Sequence, residues 1–288
     1  MRSLALVLLF MACSPDEGAG PRNHQRADDL TCEVGGPDQV LLTRALSFAR
    51  ATDDTSLGFD LDGYDTLTGQ PEGCGIADYT APDGSTGIDN AMAALLPILD
   101  TTEAAVLEDL MQASINDGSL ILMLELVDLD DVLDDACVDL AVYQGVGSPM
   151  VGADGWLLAN QTLGVATDAP VTTAVGGSVV DGVLEVGPVP TVALRIRVLD
   201  LDATFELHDV MLRLERDPEG VWRGMLGGGV RVDDLLYVAT LANVDPIVAD
   251  LMEPALALLS DLAPDETGDC TQLSVALEIA AVPAFIFE

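Results

Sequence analysis

Apolar positions along the chain recur first at helical spacing, then at every second residue, then at helical spacing again. Two amphipathic helices are predicted between positions 91 and 117. The first takes Asp89 as its N-cap and carries Met92, Leu95, Leu96 and Leu99, with Pro97 limiting its length. The second begins at Thr101 or Thr102, puts Val106, Leu107, Leu110 and Met111 on one face, and stops at Gly118. Beyond Gly118 the period becomes two. Positions 119–127 are apolar enough for a buried strand, and 137–143 alternate. In 192–198 the apolar set is Val192, Leu194, Ile196 and Val198, with Arg195 and Arg197 between them. The phase flips at Leu199, so that Leu201, Phe205 and Leu207 become the inner set, and flips back at Val210, Leu212 and Leu214. A one-residue slip turns every side chain over, so each flip predicts a bulge or turn.

Asp217-Pro218-Glu219-Gly220 predicts a turn, and Gly227 to Gly229 a further break. Positions 234–262 return to helical spacing, with Pro246 at a helix start and Pro254 a kink or restart. A closing strand is expected over 273–287, lying beside Cys137. The fold class that follows is α+β, mainly antiparallel β, a sandwich-like or curved sheet with a few packed helices. One domain is expected from 30 to 288. It has a loop-rich part (30–90), helices (91–117), antiparallel strands (119–232), a second helical stretch (234–262) and the closing strand.

The first thirty residues carry different information. Arg2 precedes a nine-residue apolar run, Leu4 to Ala12, which as a helix spans about 13 Å. That is too short to cross a bilayer and has the form of an export signal, residues 1–12. Phe10-Met11-Ala12-Cys13 resembles a bacterial lipobox, with Phe10 and Met11 replacing the usual leucine and small residue. The resemblance implies that Cys13 is acylated and becomes the new N-terminus, followed by a polar tether over 13–29. In such lipoproteins Ser14, in place of an aspartate, points to the outer membrane. The membrane contact is expected through lipid, because an acidic body is repelled by anionic headgroups. Cys32, Cys74, Cys137 and Cys270 then remain, an even number suited to an oxidising compartment. Of the three pairings, Cys32–Cys74 and Cys137–Cys270 are expected. A zinc site is the weaker reading, since no close Cys-x-x-Cys pair exists.

Composition narrows the function classes. The formal net charge is -38, all 11 basic residues are arginine, and 35 of the 49 acidic ones are aspartate. Such a charge excludes a nucleic-acid partner, which needs a basic face. Aspartates concentrate where calcium could use them. Asp60, Asp62, Asp65, Asp78, Asp83, Asp89 and Asn90 surround tight Gly-containing turns, and calcium takes six to eight oxygen ligands. The spacing is not that of an EF-hand, because the third aspartate falls one place late and no glutamate closes the loop. Asp-Gly pairs also make turns without any ion. A second cluster, Asp128, Asp130, Asp131, Asp134 and Asp135, reads as a solvated loop between strands.

Catalytic signatures are missing from the sequence. His24 lies in the tether and His208 has no second histidine to share a metal with. His208 and Asp209, adjacent on a strand, point to opposite faces, so His208 reads as a surface residue at a strand bend. The order of Gly58 to Asp62, Cys74, Asp83-Gly84, Gly87 to Asn90, Ser114 to Gly118 and the Cys137 strand resembles uncharacterised acidic exported lipoproteins. That resemblance implies an envelope location and no activity. The leading expectation is therefore a lipid-anchored envelope protein with a non-catalytic structural or binding role, steadied by calcium. The alternatives are a carrier of a lipid or other apolar ligand, and a metal-dependent hydrolase built on the aspartates between Asp60 and Asp89.

Overall fold

The structure, a computed structural model, describes residues 32, 37–66, 72–101, 106–198, 201–241 and 246–287. The export signal, Cys13, the tether with His24 and the turn at Leu199 lie outside the described residues. Ten strands form: β1 (Gln39–Phe48), β2 (Leu122–Val127), β3 (Asp135–Val146), β4 (Thr162–Val165), β5 (Thr172–Val180), β6 (Val183–Val198), β7 (Leu201–Arg216), β8 (Trp222–Arg231), β9 (Leu262–Pro264) and β10 (Cys270–Phe287). Four helices accompany them: α1 (Met92–Leu99), α2 (Leu107–Asp117), α3 (Val232–Leu241) and α4 (Pro246–Leu259).

The pairings return to their starting point. β1 pairs with β2, β2 with β3, β3 with β5, β5 with β6, β6 with β7, β7 with β8, β8 with β10, and β10 with β1, every pair antiparallel. Eight strands thus close a ring, which leaves no long free edge. β4 runs parallel to the end of β10 and antiparallel to the end of β3, and β9 pairs with the start of β10. The expectation of a mainly antiparallel α+β fold holds, with the curved sheet bent until it closes on itself.

Period-two patterning explains the ring's inner face. Leu124 stands opposite Val142 and Leu41, Leu212 opposite Leu226, Leu226 opposite Leu277, and Ile279 opposite Leu46. All belong to one buried apolar cluster that takes side chains from every strand of the ring. An eight-stranded ring is the size that side chains can fill. β2 is buried along its whole length and β3 from Val138 to Gln144. The alternation expected at 137–143 is therefore not an alternation of exposure: the outer face of these strands is covered too. α2 packs against β1 and against β6 on the opposite side of the ring, with Met111, Ser114 and Ile115 buried.

Several expectations are corrected. The first helix does not use Asp89 as a cap: its N-cap is Ala91, without a side-chain hydrogen bond, and the Ala91 N–H donates to Ser274 Oγ at 2.7 Å. Val106 is exposed at the N-cap of α2 rather than on its buried face. Gly118 ends α2 in the left-handed conformation, φ 85°, as its position predicts. Gly227 to Gly229 do not break the chain but lie inside β8. A Cβ on Gly228 would stand 2.7 Å from the His208 carbonyl oxygen, so the glycine permits a close strand approach. Pro254 sits within α4, which runs through it to Leu259. The last strand lies not beside Cys137 but between β8 and β1, a place that suits its mostly apolar sequence, in which Glu278 alone among residues 275–282 is charged and exposed. The phase flip at Val210 does mark a bulge. The β7–β8 register shifts between His208 and Met211, and Asp209 has φ 52°.

The cysteines pair differently from expectation. Cys32 joins Cys137 and Cys74 joins Cys270, with Cα separations of 5.6 and 5.9 Å. The reason is topological. With β10 set in the ring between β8 and β1, its first residue, Cys270, meets the acidic segment that carries Cys74 instead of β3. That leaves Cys137 near the start of β3 for Cys32.

Candidate metal centre

Of residues 52–66 and 72–90, Gly58 and Phe59 lie against the outer wall of the ring at β8 and β10. Four isolated bridges hold the segment to itself among the described residues: Thr52 with Thr55, Thr55 with Thr80, Phe59 with Asp89, and Tyr79 with Ile88. Asn90 secures it from below. Its amide donates to the Ala49 carbonyl (3.1 Å) and Ser56 Oγ (2.9 Å), while its Oδ1 accepts from the Ala276 N–H (3.3 Å). Asn90 is thus spent on structure, and the structure does not bring it to an ion as a ligand.

Three of the aspartates expected to bind calcium do converge. One carboxylate oxygen from each of Asp60, Asp62 and Asp89 lies within 4.8 Å of the others. Each carboxylate is oriented by a backbone donor. Asp60 Oδ1 accepts from the Gly63 N–H (2.7 Å), Asp62 Oδ1 from the Tyr64 N–H (2.9 Å), and Asp89 Oδ2 from the Leu61 N–H (2.6 Å). The first two are the tight local turns that aspartate favours, whereas the third ties Asp89 to a segment 28 residues away. The second oxygen of Asp89 is the informative atom. Asp89 is 2% exposed, and its Oδ1 is buried with no hydrogen-bond partner among the described residues. An unsatisfied buried carboxylate oxygen costs several kcal/mol unless it is protonated or meets a cation.

The electrostatics agree with the geometry. Burial, reinforced by the charges of Asp261, Asp62 and Asp78, pushes the Asp89 carboxyl up to about 8 despite its bond from Leu61. Asp62 is raised chiefly by burial, with Asp60 adding to it. Asp78 is raised by burial and by Asp62, Asp65 and Asp60, while one of its oxygens accepts from the Thr66 N–H at 2.6 Å. Gly87 shapes the rim. It has φ 76°, and a Cβ there would stand 2.7 Å from the Tyr64 carbonyl oxygen and 3.5 Å from Asp60 Oδ2. A side chain at Gly87 would therefore clash with the Tyr64 carbonyl and come into contact with the Asp60 carboxylate.

The remaining expected ligands separate from this group. Asp65 is exposed and contributes charge to Asp78. Asp83 turns its Oδ1 to the Ser85 N–H (2.9 Å) in an exposed turn, and that bond holds its carboxyl below the ordinary value. Sequence reasoning missed Asp261. It lies 4% exposed just before β9, accepts from the Ser274 N–H (2.8 Å) and the Ser274 hydroxyl, and is raised to about 6 by burial. Nothing local in the sequence marks it, because its neighbours come from β10.

Two other candidates resolve into structure. Asp135 accepts from the Asp130 N–H (2.7 Å) and the Cys137 N–H (3.1 Å), so the second acidic cluster organises the β2–β3 turn. Asp139, fully buried, lies beside the Cys32–Cys137 bridge and accepts from the Cys32 and Gly176 N–H groups. His208 is half-buried rather than on the surface, since it sits where the β7 bulge tucks against β8. No protein family, curated protein or solved structure matches the chain.

Proposed function

We propose that this chain is a lipid-anchored cell-envelope protein with a non-catalytic, structural or binding role, and that the Asp60–Asp62–Asp89 cluster holds a calcium ion that steadies it. One observation carries the calcium reading: Asp89 has a buried carboxylate oxygen without a partner among the described residues, and its carboxylate lies within 4.8 Å of two others that backbone donors already orient. Asp60, Asp62 and Asp89 would supply the core of the ligand set. Asp78 and the Tyr64 carbonyl stand close by, and water would complete six to eight oxygens. All-oxygen ligation of this kind suits a hard cation such as calcium over zinc. The ion supplies countercharge to a body of formal charge -38. The Cys13 lipobox resemblance and the two disulfides support the envelope location.

Calorimetry of the full chain at pH 8 tests the ion. Millimolar calcium should raise the melting temperature by several degrees, and Asp89→Asn should remove the shift. An unchanged melting temperature would sink the calcium reading. Intact-mass analysis of the mature protein tests the anchor: a chain that begins at an acylated Cys13 is expected, and a chain that still begins at Met1 refutes it.

A further inference from the structure

Residues 58–62 alternate. Phe59 is 4% exposed and Leu61 half-buried, and both pack onto Met225, Ala276 and Met211 of the ring's outer wall. Asp60 and Asp62, between and beyond them, point the other way, toward Asp89. A short strap therefore has an apolar underside and an acidic upper edge. Its underside fits closely. A Cβ on Gly227 of β8 would lie 2.6 Å from the Phe59 ring, and Arg213 stacks over the other part of that ring at 5.1 Å from its centroid. At the near end, Gly58 leaves no room for a side chain, whose Cβ would stand 2.8 Å from Ile88.

Among the described residues, few backbone hydrogen bonds tie the strap to its neighbours. Across to the Asp89 side the hydrogen bonds are the Asp89 N–H to the Phe59 carbonyl (2.8 Å) and the Leu61 N–H to Asp89 Oδ2 (2.6 Å). Against them stands the mutual repulsion of Asp60, Asp62 and Asp89, which favours lifting the strap when no cation is present. Further along, the Cys74–Cys270 bridge ties the segment to β10 without reaching 58–66. The strap can rise while the chain on either side stays anchored.

We infer that a divalent cation at Asp60, Asp62 and Asp89 is a clasp, which holds the 58–62 strap over the Met211–Met225–Ala276 face of the ring and uncovers that face when the ion leaves. The inference rests on the calcium reading above and adds its consequence. What is gated is an apolar strip with two methionines, Met211 and Met225, whose thioethers oxidise when reagent reaches them.

Methionine oxidation reads the clasp directly. The full chain is exposed to dilute hydrogen peroxide at pH 8 in calcium or in chelator, and peptide mass spectrometry follows each methionine. Calcium binding is measured in parallel by calorimetric titration. Met150, 57% exposed, and Met123, fully buried in the ring, serve as internal references. Calcium should slow sulfoxide formation at Met211 and Met225 by about fivefold or more and leave Met150 and Met123 unchanged. Asp60→Asn with Asp62→Asn should abolish the difference, and Phe59→Ala should leave both methionines reactive even in calcium. If calcium binds and Met211 and Met225 oxidise at the same rate with and without it, the clasp is wrong and the site stands. A calcium effect that includes Met123 reports global unfolding and also overturns the clasp. Absence of calcium binding overturns clasp and site together.

Discussion

Leu124 in the ring and Asp89 on its wall are 1% and 2% exposed, yet burial means opposite things for them. Leu124 gains by leaving water, at about 25 cal/mol per Å² of apolar surface, and its neighbours across β1 and β3 are apolar too. Asp89 loses by leaving water, and the loss is offset only in part by the Leu61 N–H. The ring is held by area and packing, which work at any pH and in any salt. The acidic segment is held by oriented carboxylates, which depend on protons and cations. One molecule therefore carries an indifferent core and a conditional surface.

The sharpest way to break this contrast is to damage the ring alone. Trp222 is fully buried, and Trp222→Ala should cost about 3–5 kcal/mol in urea denaturation. Calcium should still raise the melting temperature of whatever remains folded, by the same increment as in the parent chain. A lost increment would show that the two regions are not separable. Removing the staple between the regions comes next. Cys74→Ser with Cys270→Ser should cost about 2–4 kcal/mol, and limited proteolysis should then cut within 52–90 before it cuts the ring. Cleavage of both at equal rates would contradict the division.

Protons should act on the wall and not on the ring. Asp89 and Asp261 have folded pKa values pushed up to about 8 and about 6, above the ordinary carboxylate value near 3.8. With a raised folded pKa, the native state holds protons that the unfolded chain has released. The stabilisation is complete below about pH 4 and is lost as pH rises to about 6 for Asp261 and about 8 for Asp89. Within that window each such group accounts for about 1.4 kcal/mol per pH unit. Without calcium, stability should therefore fall from pH 5 to pH 8. Calcium binding must expel the Asp89 proton, so its stabilising shift should grow over the same range. Asp89→Asn should remove the fall in stability between pH 6 and pH 8 and the growth of the calcium shift, leaving only the Asp261 contribution below about pH 6. A calcium shift as large at pH 5 as at pH 8 would contradict the assignment.

The ring was readable from the sequence where burial is two-sided or strictly alternating. The bulge at Asp209 announced itself by the phase flip between Leu207 and Val210, and Gly118 by its place after an amphipathic run. What hid was whatever depends on distant partners. Cys74 meets Cys270 because β10 takes its place in the ring between β8 and β1, and no local spacing encodes that. Gly227 to Gly229 look like a break until Phe59 and the His208 carbonyl are seen pressing on them. At the candidate metal centre, Asp60 and Asp62 were legible because they share one tight turn. Asp261 was not, since its partner Ser274 is brought by a strand that follows it, and Asn90, read as a ligand, is consumed by Ala49, Ser56 and Ala276.

The smallest expected effect discriminates composition from geometry. Asp83 and Asp62 lie on the same acidic segment, and by sequence each is an aspartate beside a glycine. Asp83 spends its Oδ1 on Ser85 in an exposed turn, whereas Asp62 shares a cluster with Asp60 and Asp89. If the segment attracts calcium merely as a cloud of negative charge, Asp83→Asn and Asp62→Asn remove the same unit and should weaken binding alike. If three particular carboxylates make the site, Asp83→Asn should leave the calcium titration unchanged, while Asp62→Asn lowers affinity by about tenfold or more, the worth of about 1.4 kcal/mol. Raising sodium chloride sharpens the test, because screening erodes diffuse attraction between exposed charges and spares a partly buried site. Equal losses for the two variants, both erased by salt, would reduce the cluster to a solvated acidic surface.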